Sequence, residues 1–449
     1  MKRYEKYKNS GVQWIGQVPT HWILSKLKYG LQGMQDGTHG SYESVISENP
    51  LLSAKNVFED GLHISDAERT ISQKDYDSIV ANGFPQYNDI VLCCVGTIGR
   101  CCIYKMKTPL AFQRSVTFLR VNKSLNPIFL LYSLRSDIFK PQYELYAKTT
   151  AQSGIYMGTV ANMAIILPPL PEQQAIASFL DAKTKPIDDI IAKREKQIKL
   201  LEEMKSTIIS RAVTKGLNPD AQMKDSGIEW IGEIPEGWEM RKLKYILKSE
   251  KYNIKTGPFG TQLKGNDLRE EGDVPVYNQR NVIDNQFHSP SVFVTLDKAN
   301  ELAGFHTKPN DVLITSRGTI GKAAILPNGA KEGILHPCLI ALRINQDLVN
   351  LKYLLYYING FEGFAINVFL ESNATTIEVI YTDTLKNIFV TLPQLEEQKR
   401  IVSYLDSETS KIDIRIAKRR KQIELLQEYK QALITAAVTG KIDVREYNS

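Results

Sequence analysis

Residues 10–22 read SGVQWIGQVPTHW, and residues 226–238 read SGIEWIGEIPEGW. Seven of the thirteen positions are identical: Ser10/Ser226, Gly11/Gly227, Trp14/Trp230, Ile15/Ile231, Gly16/Gly232, Pro19/Pro235 and Trp22/Trp238. The chain has four tryptophans, and all four lie in these two stretches. A coincidence of that kind marks an internal duplication.

Moving outward, LPPLPEQQAIASFLD (167–181) matches LPQLEEQKRIVSYLD (392–406) at nine of fifteen positions, and KREKQIKLLEEMKSTIISRAVT (193–214) matches KRRKQIELLQEYKQALITAAVT (418–439). Weaker echoes lie between: NPLLSAKNV (49–57) with DVPVYNQRNV (273–282), NDIVLCCVGTIGR (88–100) with NDVLITSRGTIGK (310–322), and PIFLLYSL (127–134) with LKYLLYYI (351–358). The offset between copies changes only as loop length changes. Two copies make a pseudo-dimer within one chain rather than a solenoid.

Within each half, short Val-, Ile- and Tyr-rich runs are broken by Gly, Asn-Asp and Pro, which predicts a strand-rich α+β unit with a few helices. Beyond each unit the apolar residues take a 3.5-residue spacing. They fall at Ile187, Ile190/Ile191, Ile198, Leu201, Ile208 and Ala212, and again at Ile412, Ile416, Ile423, Leu426, Leu433 and Ala437. Two matched seams predict two long helices pairing as an antiparallel intramolecular coiled coil, with the intervening Lys and Arg as solvated flanks. Pro186, followed by Asp188 and Asp189, suits a helix first turn, which sets a helix of at least 186–214, roughly 43 Å at ~1.5 Å per residue. The expected domains are a first unit at 1–168, a central helix at 169–217, a second unit at 226–393 and a C-terminal helix at 394–445.

At 449 residues the chain exceeds one ordinary core, and 43% hydrophobic with 24% charged residues is globular rather than disordered composition. No apolar run reaches the roughly 18–20 residues of a membrane span, and MKRYEKYKNS leads into no apolar stretch, so a cytoplasmic protein is expected. A net charge of +6 is compatible with a polyanionic partner. Four of the five cysteines sit in CCVGTIGRCC (93–102). Adjacent pairs lack the reach of a zinc site, and Thr315, Ser316, Ala323 and Ala324 take their places in the second copy, so no metal is expected. GTIGK (318–322) is too short for a phosphate loop, and neither a nucleophile elbow nor a clustered histidine set is present. These gaps favour a binding protein over an enzyme with its own DNA-modifying site, and a coiled-coil scaffold without sequence reading stands as the other alternative.

Taken together, the tandem SGxxWIGxxPxxW, the NDIVL…GTIG unit, LPPLPEQxxI and the long helix ending in AVT(K)G resemble the specificity (S) subunit of type I restriction–modification systems. The resemblance spans almost the whole chain. It implies two target recognition domains, each reading one half of a bipartite site on double-stranded DNA, with the helices setting the unread spacer. It further implies a non-catalytic chain on which two methyltransferase (M) subunits and two restriction/translocase (R) subunits assemble for host defence. S-adenosylmethionine, ATP and Mg²⁺ then belong to those partners, and no cofactor to this chain.

Units that read different sequences should share a scaffold and differ at the reading surface. The mismatched segments LQGMQDGTHGSYES (31–44) and LKSEKYNIKTGPFGTQLKGND (247–267) read as exposed loops. Gln35, Thr38, His39, Thr261, Gln262 and Lys264 there carry groups that bond base edges or phosphates. The matched pairs Lys55/Arg280, Asn56/Asn281 and Arg100/Lys322 suit a shared task, either phosphate positioning or fold maintenance. Gly96, Gly99, Gly318 and Gly321 suit a tight strand connection. Trp14, Trp22, Trp230 and Trp238 either anchor their segment by packing or form a docking surface for an identical partner on both halves.

Overall fold

The computed structural model describes residues 2–147, 154–372 and 379–447. The chain divides into two compact units, one of Met1–Arg194 with Arg420–Ser449 and the other of Glu195–Arg419. The division cuts both long helices, so each unit is a head plus part of each helix rather than the successive blocks expected from sequence.

In the first unit, strands β1 (Leu31–Asp36), β2 (Ile90–Cys93), β3 (Cys101–Ile103) and β4 (Val116–Val121) form an antiparallel sheet ordered β1-β4-β2-β3. Both faces of β2 are covered: Ile90 and Leu92 join the main core, while Val91 and Cys93 enter a second cluster with Phe112 and Phe118. Covering both faces explains why this strand reads as a continuous apolar run rather than an alternation. Helix α1 (Pro127–Arg135) is capped by the Asn126 side chain, which accepts from the N–H of Ile128 and Phe129. Helix α2 (Leu170–Lys215) follows.

The second unit repeats the plan. Strands β5 (Ile254–Thr256), β6 (Val312–Thr315), β7 (Ala323–Ile325) and β8 (Leu339–Leu342) take the order β5-β8-β6-β7, with helix α3 (Leu351–Gly360) capped by Asn350 and helix α4 (Leu395–Val438) after it. The expected α+β architecture is what the chain adopts.

Three polar anchors recur in both units. Gln173 accepts from the Asn126 N–H at 2.8 Å and donates to the Ser124 and Pro168 carbonyls. Gln398 does the same with Asn350, Leu348 and Pro393. The Tyr132 hydroxyl donates to Asp181, and that of Tyr356 to Asp406, each at 2.7 Å. In the NDIVL and NDVL motifs, Asn88 and Asn310 adopt φ of 71°. Asp89 and Asp311 then pair with Arg120 and Arg343 on the neighbouring strand run. A buried carboxylate needs such a partner.

The long helices pair antiparallel within each unit. In the first, Lys430 meets Asp188 at 2.7 Å, and farther along α2 toward its start Phe179 meets Tyr447. In the second, Lys205 meets Asp413 at 2.7 Å, Gly216 lies beside Glu397, and Leu201, Ile412 and Ile416 form a small core of the expected seam residues.

Two expectations need correction. Helix α2 begins at Leu170, so Pro186 lies inside it rather than at its first turn. Pro171 and Glu172 supply the start, and one missing N–H is outweighed by the packing of a 46-residue helix. Helix α4 ends at Val438, short of residue 445.

Candidate nucleic-acid interface

The mismatched segments are only partly loops. Residues 31–36 are the edge strand β1, and 254–256 form β5, so each segment leaves the sheet at its edge. Both leave through a glycine. A Cβ on Gly37 would stand 2.2 Å from the Gln113 carbonyl, and one on Gly257 would stand 2.1 Å from that of His336. The Gly37 N–H donates to Val116 and the Gly257 N–H to Leu339, each at 3.0 Å. Only glycine permits so close an approach of two backbones. This matched pair, hidden inside segments that otherwise differ, launches both candidate loops from the same point of the fold. An aspartate before one and a threonine before the other concealed it.

Beyond Gly37, the Thr38 hydroxyl bonds Tyr42 at 2.7 Å, and the Thr38 carbonyl accepts from the N–H of Arg114. His39 is exposed, with its ring nitrogen 3.8 Å from Asp36. The Arg114 side chain is exposed beside them, a residue that motif reading missed because its nearness to Thr38 follows from strand pairing. Gln35 points elsewhere, its amide donating to the Asn82 carbonyl at 2.8 Å.

Beyond Gly257, Phe259 is 76% exposed, a large ring displayed to solvent that sequence reasoning also passed over. Thr261, Gln262 and Lys264 are exposed. Gln262 accepts from the Phe259 N–H at 3.0 Å, which steadies the loop and leaves its amide N–H₂ outward. The Lys264 backbone N–H donates to Asp267, holding that carboxyl below the usual range, with Lys298 3.6 Å away.

The matched pairs separate by burial. Asn56 and Asn281 are 2% and 7% exposed. Asn56 accepts from the Ser53 N–H and donates to His63 and Glu68; Asn281 accepts from the Asn278 N–H and donates to Gln286. Both are buried caps whose side chains bond inside their own unit, which favours fold maintenance over phosphate contact. Lys55 pairs with Glu68 at 2.7 Å, and its hydrogen bond holds the Glu68 carboxyl low. The Arg280 side chain is 86% exposed and only loosely held by Asp284 at 3.3 Å. Arg100 is spent internally, donating to the Ala54 carbonyl and lying 4.7 Å over the Phe58 ring, whereas Lys322 is exposed. Arg100 is therefore withdrawn from the interface.

The GTIG glycines have φ of 78°, 88°, 66° and 77°, the left-handed turn that only glycine takes easily. Cys94 and Cys101 lie in one core cluster and Cys93 and Cys102 in another, on opposite faces of the sheet, so the four thiols do not converge. Burial raises the thiol pKa of Cys94 and Cys102 to about 12. Among the described residues, no group of three or more His, Cys, Asp or Glu could hold a metal ion.

Trp22 and Trp238 are 0% and 2% exposed, each within the core of its own unit, which corrects the expectation that they form a docking surface. Trp14, at 41%, retains an open face, and Trp230 is partly covered.

Two units with one strand order, one set of polar anchors and two dissimilar loops define a duplicated, two-unit protein. The family described as type I restriction modification DNA specificity domain matches residues 53–200 and 235–425, and the chain belongs to it. The chain is 27% identical over 443 residues to the putative type I restriction enzyme MjaX specificity subunit of Methanocaldococcus jannaschii, covering 96% of both. It is 29% identical over 334 residues to the MjaVIII specificity subunit of the same organism, covering 73% of both. A solved chain described under complex assembly and conformational transition of the type I R-M system shares the fold at TM-score 0.65 and 19% identity, with 95% of this chain and 99% of that one covered. No helix among the described residues is long and apolar enough to cross a membrane.

Proposed function

We propose that this chain reads a bipartite target on double-stranded DNA, one half-site per unit. The carrying observation is the loop pair launched from Gly37 and Gly257: identical supports holding unlike side chains, as two readers of different half-sites require. Thr38, His39 and Arg114 serve one half-site; Thr261, Gln262 and Lys264 serve the other, with Phe259 as an apolar contact. Lys55, Arg280 and Lys322 position phosphates. The long helices set the unread spacer. Two methyltransferase subunits dock on surfaces common to both units, Trp14 and Trp230 among them, and two restriction/translocase subunits complete a cytoplasmic complex. In this reading the chain performs no chemistry itself, and S-adenosylmethionine, ATP and Mg²⁺ act in the partners.

The test is a map of adenine methylation in a host expressing the chain with a methyltransferase subunit, set against a host lacking the chain. A two-part motif with a fixed gap, present only with the chain, is expected, and exchanging residues 1–168 should change one half of it. Methylation that is unchanged, or directed to a continuous site, overturns the reading and leaves a scaffold without sequence reading.

A further inference from the structure

In the first unit the Trp22 indole N–H donates to Glu172 at 3.0 Å. The same carboxylate accepts the Tyr4 hydroxyl at 3.0 Å and lies 2.7 Å from a His21 ring nitrogen. Tyr4 stands edge-on to Trp22, with 5.6 Å between centroids and 73° between planes. Arg445 lies 4.8 Å over the Tyr4 ring, and Tyr447 covers Phe179. Residues near the two ends of the chain thus fill the space beside Trp22.

The repeat sets Trp238, Glu397 and Tyr404 opposite Trp22, Glu172 and Phe179 in the second unit, but Asp220 opposite Tyr4 and Gly237 opposite His21. The Tyr4 and His21 rings therefore have no counterpart there. Trp238 is 2% exposed, yet its indole nitrogen is buried without a hydrogen-bond partner. Tyr404 is 41% exposed where Phe179 is 3%. A cavity of about 560 Å³ opens beside Trp238, lined among others by Leu217, Asp220, Gly237, Glu397 and Arg400. A buried donor without an acceptor is a defect that a native chain rarely keeps unless something else completes it.

We propose that this cavity binds a tyrosine side chain of a partner protein. The ring sets edge-on against Trp238, an arrangement aromatic pairs favour. Its hydroxyl donates to Glu397, drawing that carboxylate onto the Trp238 N–H, and Arg400 supplies the cation that Arg445 supplies in the first unit. Because Tyr4 occupies the matching place in the first unit, the chain offers this site once. The inference does not depend on the DNA reading.

The test uses the full chain carrying ¹⁵N-labelled tryptophan, with the Trp238 indole signal assigned through Trp238→Phe. N-acetyltyrosine amide is the probe, and its phenylalanine analogue the control. The Trp238 signal should move saturably at millimolar probe while Trp22 stays still. The analogue, lacking the hydroxyl that meets a carboxylate, should bind about tenfold more weakly. Asp220→Tyr should fill the cavity from within and abolish the response; Glu397→Gln, on the surface of α4, should weaken it by about tenfold without touching the core. No saturable movement up to the solubility limit overturns the proposal. Equal binding of the two amides overturns it as well, since the cavity is then an apolar niche only, as does full binding to Glu397→Gln.

Discussion

Gln173 offers the sharpest perturbation of the scaffold that carries the candidate interface. It is 1% exposed and holds three residues of two chain segments: its carbonyl accepts from Asn126, and its amide donates to Ser124 and Pro168. Gln173→Met keeps the length and bulk of the side chain but removes the acceptor and both donors. Each orphaned group costs about 1–3 kcal/mol, and partial relaxation around a covered junction brings the total to about 3–5 kcal/mol. Gln173→Ala adds a cavity and a further ~1–2 kcal/mol. Against the about 5–15 kcal/mol of a typical domain, either change brings the first unit close to its stability limit. Hydrogen exchange resolved by peptide, with urea titration, reads the effect. Protection in β2 and β4 should fall while β6 and β8 hold. Gln398→Met should give the mirror result. A loss below about 1 kcal/mol for Gln173→Met, or one shared equally by β6 and β8, would refute the claim that this glutamine anchors its unit.

The other predictions separate support from contact. Asn56→Ala and Asn281→Ala should each lower stability by about 1–2 kcal/mol through loss of a capping role, with no change in the salt dependence of DNA binding measured in the assembled complex. Arg280→Ala should do the reverse, leaving the melting temperature in place and reducing the slope of log K against log salt by about 0.9. Trp22→Phe should cost about 1.5–3 kcal/mol more than Trp238→Phe in paired melting experiments, because only the first indole bonds a carboxylate. Burial holds the pKa of His336 below its usual 6.5. The unfolded chain therefore takes up the proton first, and the stability of the second unit should fall as pH drops from 6.5 through the depressed native value. His336→Asn should flatten that dependence in melting curves taken across the window.

Much of this fold is legible from the duplication alone. Two copies of one pattern are two measurements of the same structure, so a feature present in both, such as the GTIG turn or the apolar seam, could be trusted where one copy was ambiguous. The reading of Pro186 shows the limit of local signals. Proline marks a helix start in general. The matched residue in the second copy is Lys411, inside an uninterrupted helix, and that comparison points to the continuous α2 that forms. The paired glycines Gly37 and Gly257 were illegible for another reason: what demands them is a backbone carbonyl from a distant strand, and no local pattern records that contact.

The fate of the matched polar residues follows from the same logic. A residue kept in both copies serves something the copies share, and most of what they share lies inside each unit: a cap, a carboxylate against an arginine, a glutamine tying a helix to the strand before it. Asn56 and Asn281 went that way, and Arg100 with them. Surface tasks leave a weaker trace, because an exposed lysine or arginine pairs with phosphate from many geometries, and Lys55 can stand where the other copy has Arg280. Under the proposed function, base-reading side chains leave no matched trace at all, since two different half-sites would demand different groups. The most informative positions for function are therefore the unmatched ones held by matched supports, which is where Thr38, His39, Thr261 and Gln262 stand.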